Sequence, residues 1–324
     1  MAGRHIKELI AAHRDRDDLA FRRAAAAIIE EEEAKKHTAL ARDLRRLLAS
    51  GGDAATVAIA PAPEPPRDRD TNTALAEVCT PEVGGLDDLV LESQLREHLE
   101  SLLEEVALWP AFDVAGVPRR NRVLLYGPPG NGKSTIAAAL AAELGLPLVV
   151  ARIDSLISSY LGETASNLRS LFDFASNTAA VVLLDEFDSL GKLRDDPSDH
   201  GELRRVVNAA LQIIDDYRGK SIVVAATNEP EILDAALWRR FDEVLEVPPP
   251  TTAASAKLLE RLLQRGVGHA LIDEMTQRLD GLPFAAVEYA AHGARRNAII
   301  AGRQRISEDD LRRSVDRTAG RPWQ

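Results

Sequence analysis

The stretch Val123 to Ala142, VLLYGPPGNGKSTIAAALAA, constrains the fold more than any other, because an apolar strand pattern, a glycine-rich turn and an amphipathic helix follow without a gap. Gly127, Gly130 and Gly132 let the backbone curl, so that successive N–H groups converge on an anion with no Cβ in the way. Lys133 then supplies a charge for the β and γ phosphates, and Ser134 offers a hydroxyl to Mg²⁺. A helix starting at about Ser134 adds its positive dipole end. The predicted cradle for ATP comprises Pro128, Pro129, Gly130, Asn131, Gly132, Lys133, Ser134 and Thr135.

With 324 residues, 45% of them hydrophobic, the chain can bury one large core and a smaller one. A net charge of -11 argues against a mainly electrostatic hold on nucleic acid or anionic lipid. The one cysteine, Cys79, excludes an internal disulfide and a cysteine zinc cluster. The N-terminus lacks an apolar signal core, and no apolar run nears the length of a membrane span. A cytoplasmic location is the default.

Residues 1–50 read as an N-terminal helical domain, with Ile6, Leu9 and Ile10 on one face and Leu40, Leu44, Leu47 and Leu48 on another. The acidic run Glu30 to Glu33 reads as a solvated helix face. Residues 51–82, rich in Pro, Ala and charge, are expected to be an extended tether. Residues 83–250 alternate strands with helices, which implies a parallel sheet covered by helices on both faces: an α/β P-loop fold. Expected strands are Val123 to Tyr126, Pro147 to Ile153, Ala180 to Leu184 and Ser221 to Ala226. Residues 251–324 are helical again and would form a small lid domain, with a new helix after Gly281 and Pro283.

Ligands in such sheets bind at the carboxyl ends of strands, where three motifs fall. VVLLDEFD ends a buried strand on two carboxylates, so Asp185 can hold the hydration shell of Mg²⁺ while Glu186 orients and deprotonates a water. Asp188 is expected to cap or stabilise the next turn. AATN ends a later strand on Asn228, an uncharged donor and acceptor suited to holding the attacking water. Soon after, ALWRRFD carries Arg239 and Arg240, and a guanidinium can stabilise phosphoryl charge in trans. This is triphosphate hydrolysis chemistry.

GPPGNGKST, VVLLDEFD, AATN and ALWRRFD, in this order and at about these spacings, resemble the ATPase core of the AAA family, from roughly Val83 to the C-terminus. The resemblance implies a ring, usually a hexamer, in which each site is completed by a neighbour's arginine. Arg240 matches the first finger; where a second arginine commonly follows the Asp, Glu243 stands, which leaves Arg239 as the adjacent candidate. EVGGLDD resembles the segment over the adenine and places Val83 and Gly84 at the base. Arg204 and Arg205 fall on the helix that, by the same resemblance, would face the next subunit. In ISSYLGE, Tyr160 and Leu161 fill the pore-loop positions that grip an extended polypeptide in protein remodelers, with Ser159 where a Lys is usual.

The single ATPase cassette and the ALWRRFDEVLE wording look like the bacterial AAA ATPases encoded beside a subtilisin-like serine protease in plasmid-incompatibility and phage-defence loci. That likeness implies a protease partner encoded elsewhere. The expected function is ATP-driven remodelling, unfolding or threading of a protein substrate. The alternatives are a switch that activates a partner by nucleotide-dependent assembly alone, and a nucleic-acid motor or loader, which the acidic balance disfavours.

Overall fold

The computed structural model describes residues 64–68, 71–81, 83–152, 156, 161–189, 202–232, 235–263 and 267–323, with scattered helical positions between 25 and 31. The chain divides into two compact units, Met1–Pro61 and Ala62–Gln324. In the second, six strands among the described residues form one sheet: β1 (Ala76–Cys79), β2 (Arg122–Tyr126), β3 (Leu148–Ala151), β4 (Val181–Leu184), β5 (Ile222–Thr227) and β6 (Glu243–Glu246), in the order β1-β3-β4-β5-β2-β6. Pairing is parallel from β3 to β6.

Alternation along the strands explains why they read as continuous apolar runs. Leu124, Val182, Leu184, Val223 and Ala225 are buried on one face, beneath α3 (Leu161–Asn177), α4 (Glu202–Asp216) and α5 (Ala235–Trp238). Val123, Leu125, Leu183, Val224 and Ala226 are buried on the other, beneath α1 (Ser93–Ala115) and α2 (Lys133–Leu144). A strand covered on both sides has no polar face to show.

Two strands were not expected. β1 lies within the segment read as an extended tether and pairs antiparallel with β3, Ala76 opposite Ala151 and Cys79 opposite Leu148. The sheet is therefore mixed at one edge. The chain before β1 is also anchored: Leu75 is fully buried, and Asp68 accepts a hydrogen bond from Asn167 Nδ2 at 2.7 Å. The correction to the tether reading has a physical cause, since Pro and Ala bias the composition while the pairing edge is supplied by β3, far along the chain. β6 extends the other edge beside β2.

The C-terminal helices α6 (Thr252–Leu263), α7 (His269–Arg278), α8 (Phe284–Ile300) and α9 (Glu308–Ala319) share a third apolar core around Leu259, Met275, Val287, Leu311 and Val315. Helix α8 approaches α9 closely, because a Cβ on Gly293 would stand 2.1 Å from Ser314 Oγ. The start of α9 is fixed by a capping box between Ser307 and Asp310. The Asp310 side chain is fully buried and accepts from Arg303 at 2.6 and 2.9 Å as well as from Ser307 N at 2.9 Å. These hydrogen bonds, the Arg303 guanidinium first, hold its carboxyl well below the usual carboxylate range.

A carboxyl whose folded value is depressed stabilises the fold above its unfolded value, about pH 4, and loses that contribution as pH falls toward the folded value. Asp310→Asn is expected to lower stability by about 2 kcal/mol at pH 7. The gap between parent and variant in thermal unfolding should narrow at pH 3; an unchanged gap would show that Asp310 is not the titrating group. Among the described residues, no helix is long and apolar enough to cross a membrane.

Candidate nucleotide-binding site

The site is built where β2 turns into α2. Gly127 has φ +146°, and a Cβ there would stand 2.2 Å from the carbonyl oxygen of Val247, so only glycine fits. Gly130 and Gly132 are also left-handed, at φ +74° and +88°. Gly132 caps α2 with no side-chain hydrogen bond, which leaves the first-turn N–H groups to an anion.

Lys133 is 6% exposed and bends back over the loop, donating to the carbonyls of Gly127 at 2.7 Å and Pro128 at 2.9 Å. Burial pulls its ammonium below the ordinary lysine range, opposed by the carboxylates of Asp185 and Asp188. Asn131 is buried; its Nδ2 lies 3.4 Å from Pro128 O, and Phe284 N lies 3.4 Å from its Oδ1. The loop thus leans on the first turn of α8, where Ala285 N also donates to Gly130 O at 3.0 Å.

The acidic strand end meets the loop. Ser134 Oγ donates to Asp185 Oδ2 at 2.6 Å, and Asp185 Oδ1 accepts from Glu186 N at 2.9 Å. Glu186 is exposed and left-handed at φ +52°, a conformation costly for a residue with a side chain and often found at functional sites. Asp188 is buried against the end of β5, with Thr227 Oγ1 at 3.4 Å and Asn228 N at 3.5 Å from its carboxylate. Asn228 is exposed just past that strand.

An apolar cavity of about 190 Å³ adjoins the loop, lined by Val83, Leu89 and Leu91 together with Leu258, Leu262 and Phe284 of the C-terminal helices. Its size and lining suit a purine base. Val83 lines it, and the Gly84 N–H donates at 2.7 Å to Oδ2 of Asp88, another lining residue. The C-terminal contributors escaped sequence reasoning, because no local pattern marks an apolar helix residue as a base contact. A larger open groove of about 1230 Å³ runs past Lys257, Arg295 and Arg305. It has no glycine loop or carboxylate pair, so the smaller cavity is the better base site.

Arg240 is separated from this cluster. Its guanidinium pairs with Asp215 at 2.6 Å, beside the amino end of β2, where Arg122 donates to Asp215 O at 3.1 Å. Asp242 is locked at the same edge by Arg122, through hydrogen bonds of 2.5 and 3.0 Å, and by the N–H groups of Asn121 and Arg122. Arg239 is exposed, and Glu243 is ion-paired with Arg120, which also bonds Glu105. Arg204 and Arg205 lie on α4 and Leu161 opens α3; the side chains of these three, and all of Tyr160, lie outside the described residues.

The sequence matches the model of the ATPase family associated with various cellular activities (AAA) over residues 123–249. It is 40% identical over 321 residues to an uncharacterized AAA family ATPase, y4kL, of Sinorhizobium fredii, covering 98% of this chain and 96% of that relative. It is also similar to the Proteasome-activating nucleotidase of Pyrococcus furiosus, at 35% identity over 251 residues, which covers 74% of this chain and 61% of that one. Protein SAV of Sulfolobus acidocaldarius is 34% identical over 226 residues, covering 67% of this chain and 28% of its own length. The chain therefore spans less than two thirds of the last two relatives. The phosphate loop, the acidic strand end and Asn228 all fall inside the matched span, and one relative bearing the same family name is matched along nearly its whole length: this chain belongs to the AAA family of ATPases and hydrolyses ATP.

Proposed function

We propose that the protein is a ring-forming protein remodeler, a hexamer in the manner of its family, in which ATP is hydrolysed at a seam between two copies. One observation carries the shared seam. Arg240 belongs to the amino edge of the sheet, beside Arg122, while the phosphate loop stands at the carboxyl edge of the same strand. A strand rises about 3.3 Å per residue, so the ends of β2 stand roughly 13 Å apart. An arginine at the wrong edge of its own site is well placed to serve another.

Within one copy, Lys133 and the α2 N-terminus receive the phosphates, Glu186 orients and deprotonates the water, and Asn228 holds that water without competing for the cation. The oxygen-only donor pair of Ser134 Oγ and Asp185 fits Mg²⁺, which these residues would hold directly or through water. When bound, Mg²⁺ neutralises charge on the phosphate oxygens. Arg240 of the next copy adds the remaining cation, with exposed Arg239 as a second, and Arg204 and Arg205 support the interface.

Similarity to Proteasome-activating nucleotidases over 251 residues supports a protein as the substrate. The single ATPase cassette and the ALWRRFDEVLE wording favour a subtilisin-like serine protease encoded elsewhere, in a bacterial defence or plasmid-incompatibility setting. Tyr160 and Leu161 would grip the threaded chain, since an aromatic side chain packs against many residue types without selecting among them. Tyr160→Ala is expected to keep ATP hydrolysis at the parent rate and to abolish processing of proteins that copurify with the parent from native cells. Unchanged processing would overturn threading.

A further inference from the structure

The segment carrying Arg240 is held by two aromatic contacts, and each reaches back to the nucleotide site of the same copy. Trp238 meets Tyr126 edge to face, with ring centroids 5.0 Å apart and planes at 71°, and Tyr126 is the last residue before Gly127. Phe241 meets Phe187 in the same manner, at 5.8 Å and 87°, and Phe187 directly follows Glu186. Both phenylalanines are buried.

Neither ring has room to drift independently. Phe187 N donates to Ala226 O at 2.9 Å, so its backbone is stitched to β5 immediately after the left-handed turn at Glu186. On the other side of Phe241, Asp242 is clamped to Arg122 and to the N–H groups of Asn121 and Arg122. Close-packed interiors transmit displacement because they contain little free volume. Arg240, with 24% of its side chain exposed, stands between a clamp at the sheet edge and a ring anchored to the catalytic turn.

We propose that Phe187 and Phe241 are positioning residues for Arg240: their ring contact lets the catalytic edge of one copy set where that copy holds the guanidinium it lends. This rests on the reading that Arg240 acts in a neighbouring copy. The defect caused by losing the ring contact is then expressed in the neighbour's hydrolysis. A purely structural role for Phe187 would instead disturb Glu186 and impair hydrolysis at its own site.

The test uses the full chain and phosphate release from ATP. Phe187→Leu and Phe241→Leu are each expected to lower hydrolysis about twofold to tenfold, the worth of one aromatic pair. The double variant should lose no more than the worse single one, because both remove one contact. Each is then co-expressed with Glu186→Gln, whose own site is inactive but whose Arg240 segment is intact. Mixed assemblies should hydrolyse more ATP than the two separate proteins combined, since the leucine variants' sites now receive a correctly held arginine.

Arg240→Ala co-expressed with Glu186→Gln provides the reference. If that mixture shows no recovery, the shared-seam reading fails. If it recovers while the leucine mixtures do not, the seam stands and the positioning role is overturned. Full parent activity in either leucine variant, or additive loss in the double variant, would also overturn it.

Discussion

Glu186→Gln is expected to bind ATP as tightly as the parent while hydrolysis falls by about 10²- to 10⁴-fold, the usual contribution of a positioned general base. The substitution keeps size and shape but removes the negative charge and with it the ability to take a proton. The backbone there is set by neighbours, through Glu186 N on Asp185 Oδ1 and Phe187 N on Ala226 O, so the exposed side chain can change without refolding the turn. Nucleotide binding is read with a fluorescent ATP analogue and turnover by phosphate release. A loss of only a few fold would remove Glu186 from the base role. Full cellular activity in this variant would instead favour the reading in which nucleotide-dependent assembly alone activates a partner.

Arg240→Ala is expected to reduce hydrolysis by the assembled protein about 10³-fold or more, the lower range for an arginine that completes a phosphoryl-transfer site in trans. Folding should survive. The ion pair that would be lost joins a 24% exposed arginine to a 43% exposed aspartate, and pairs of that kind are worth only about 0–1 kcal/mol. Nucleotide affinity measured without turnover should also hold, because the loop, Lys133 and the base cavity are supplied by other residues. Assembled Arg240→Ala protein that turned over ATP at the parent rate would eliminate the shared site. Glu243 has its own logic in this region. Its carboxylate neutralises Arg120, so an arginine at that position would face a cation.

Local features were legible because their physics is local. Glycines at 127, 130 and 132 require left-handed backbone or close approach wherever the rest of the chain goes, and the structure shows both. Strands β2, β3, β4 and β5 read correctly because burial on both faces leaves an unbroken apolar run. Asp185 and Ser134 were predicted to share a cation, and their side chains meet at 2.6 Å although 51 residues separate them. There the strand order did the joining, which alternation of strands and helices does not fix: β5 alone separates β4 from β2 in the sheet.

The sequence by itself determined the α/β class, the phosphate loop, the carboxylate pair and the arginine segment, since each is written in spacing that survives any tertiary arrangement. Only the tertiary structure decided that residues 76–79 add an antiparallel edge, that Leu258, Leu262 and Phe284 close the base cavity, and that Arg240 rests on Asp215 at the far edge of the sheet. Those outcomes depend on partners distant along the chain. An edge strand needs another strand's unpaired backbone, a cavity needs two separate helical surfaces, and an ion pair needs a helix end and a turn to arrive together, none of which leaves a periodic mark in the residues themselves.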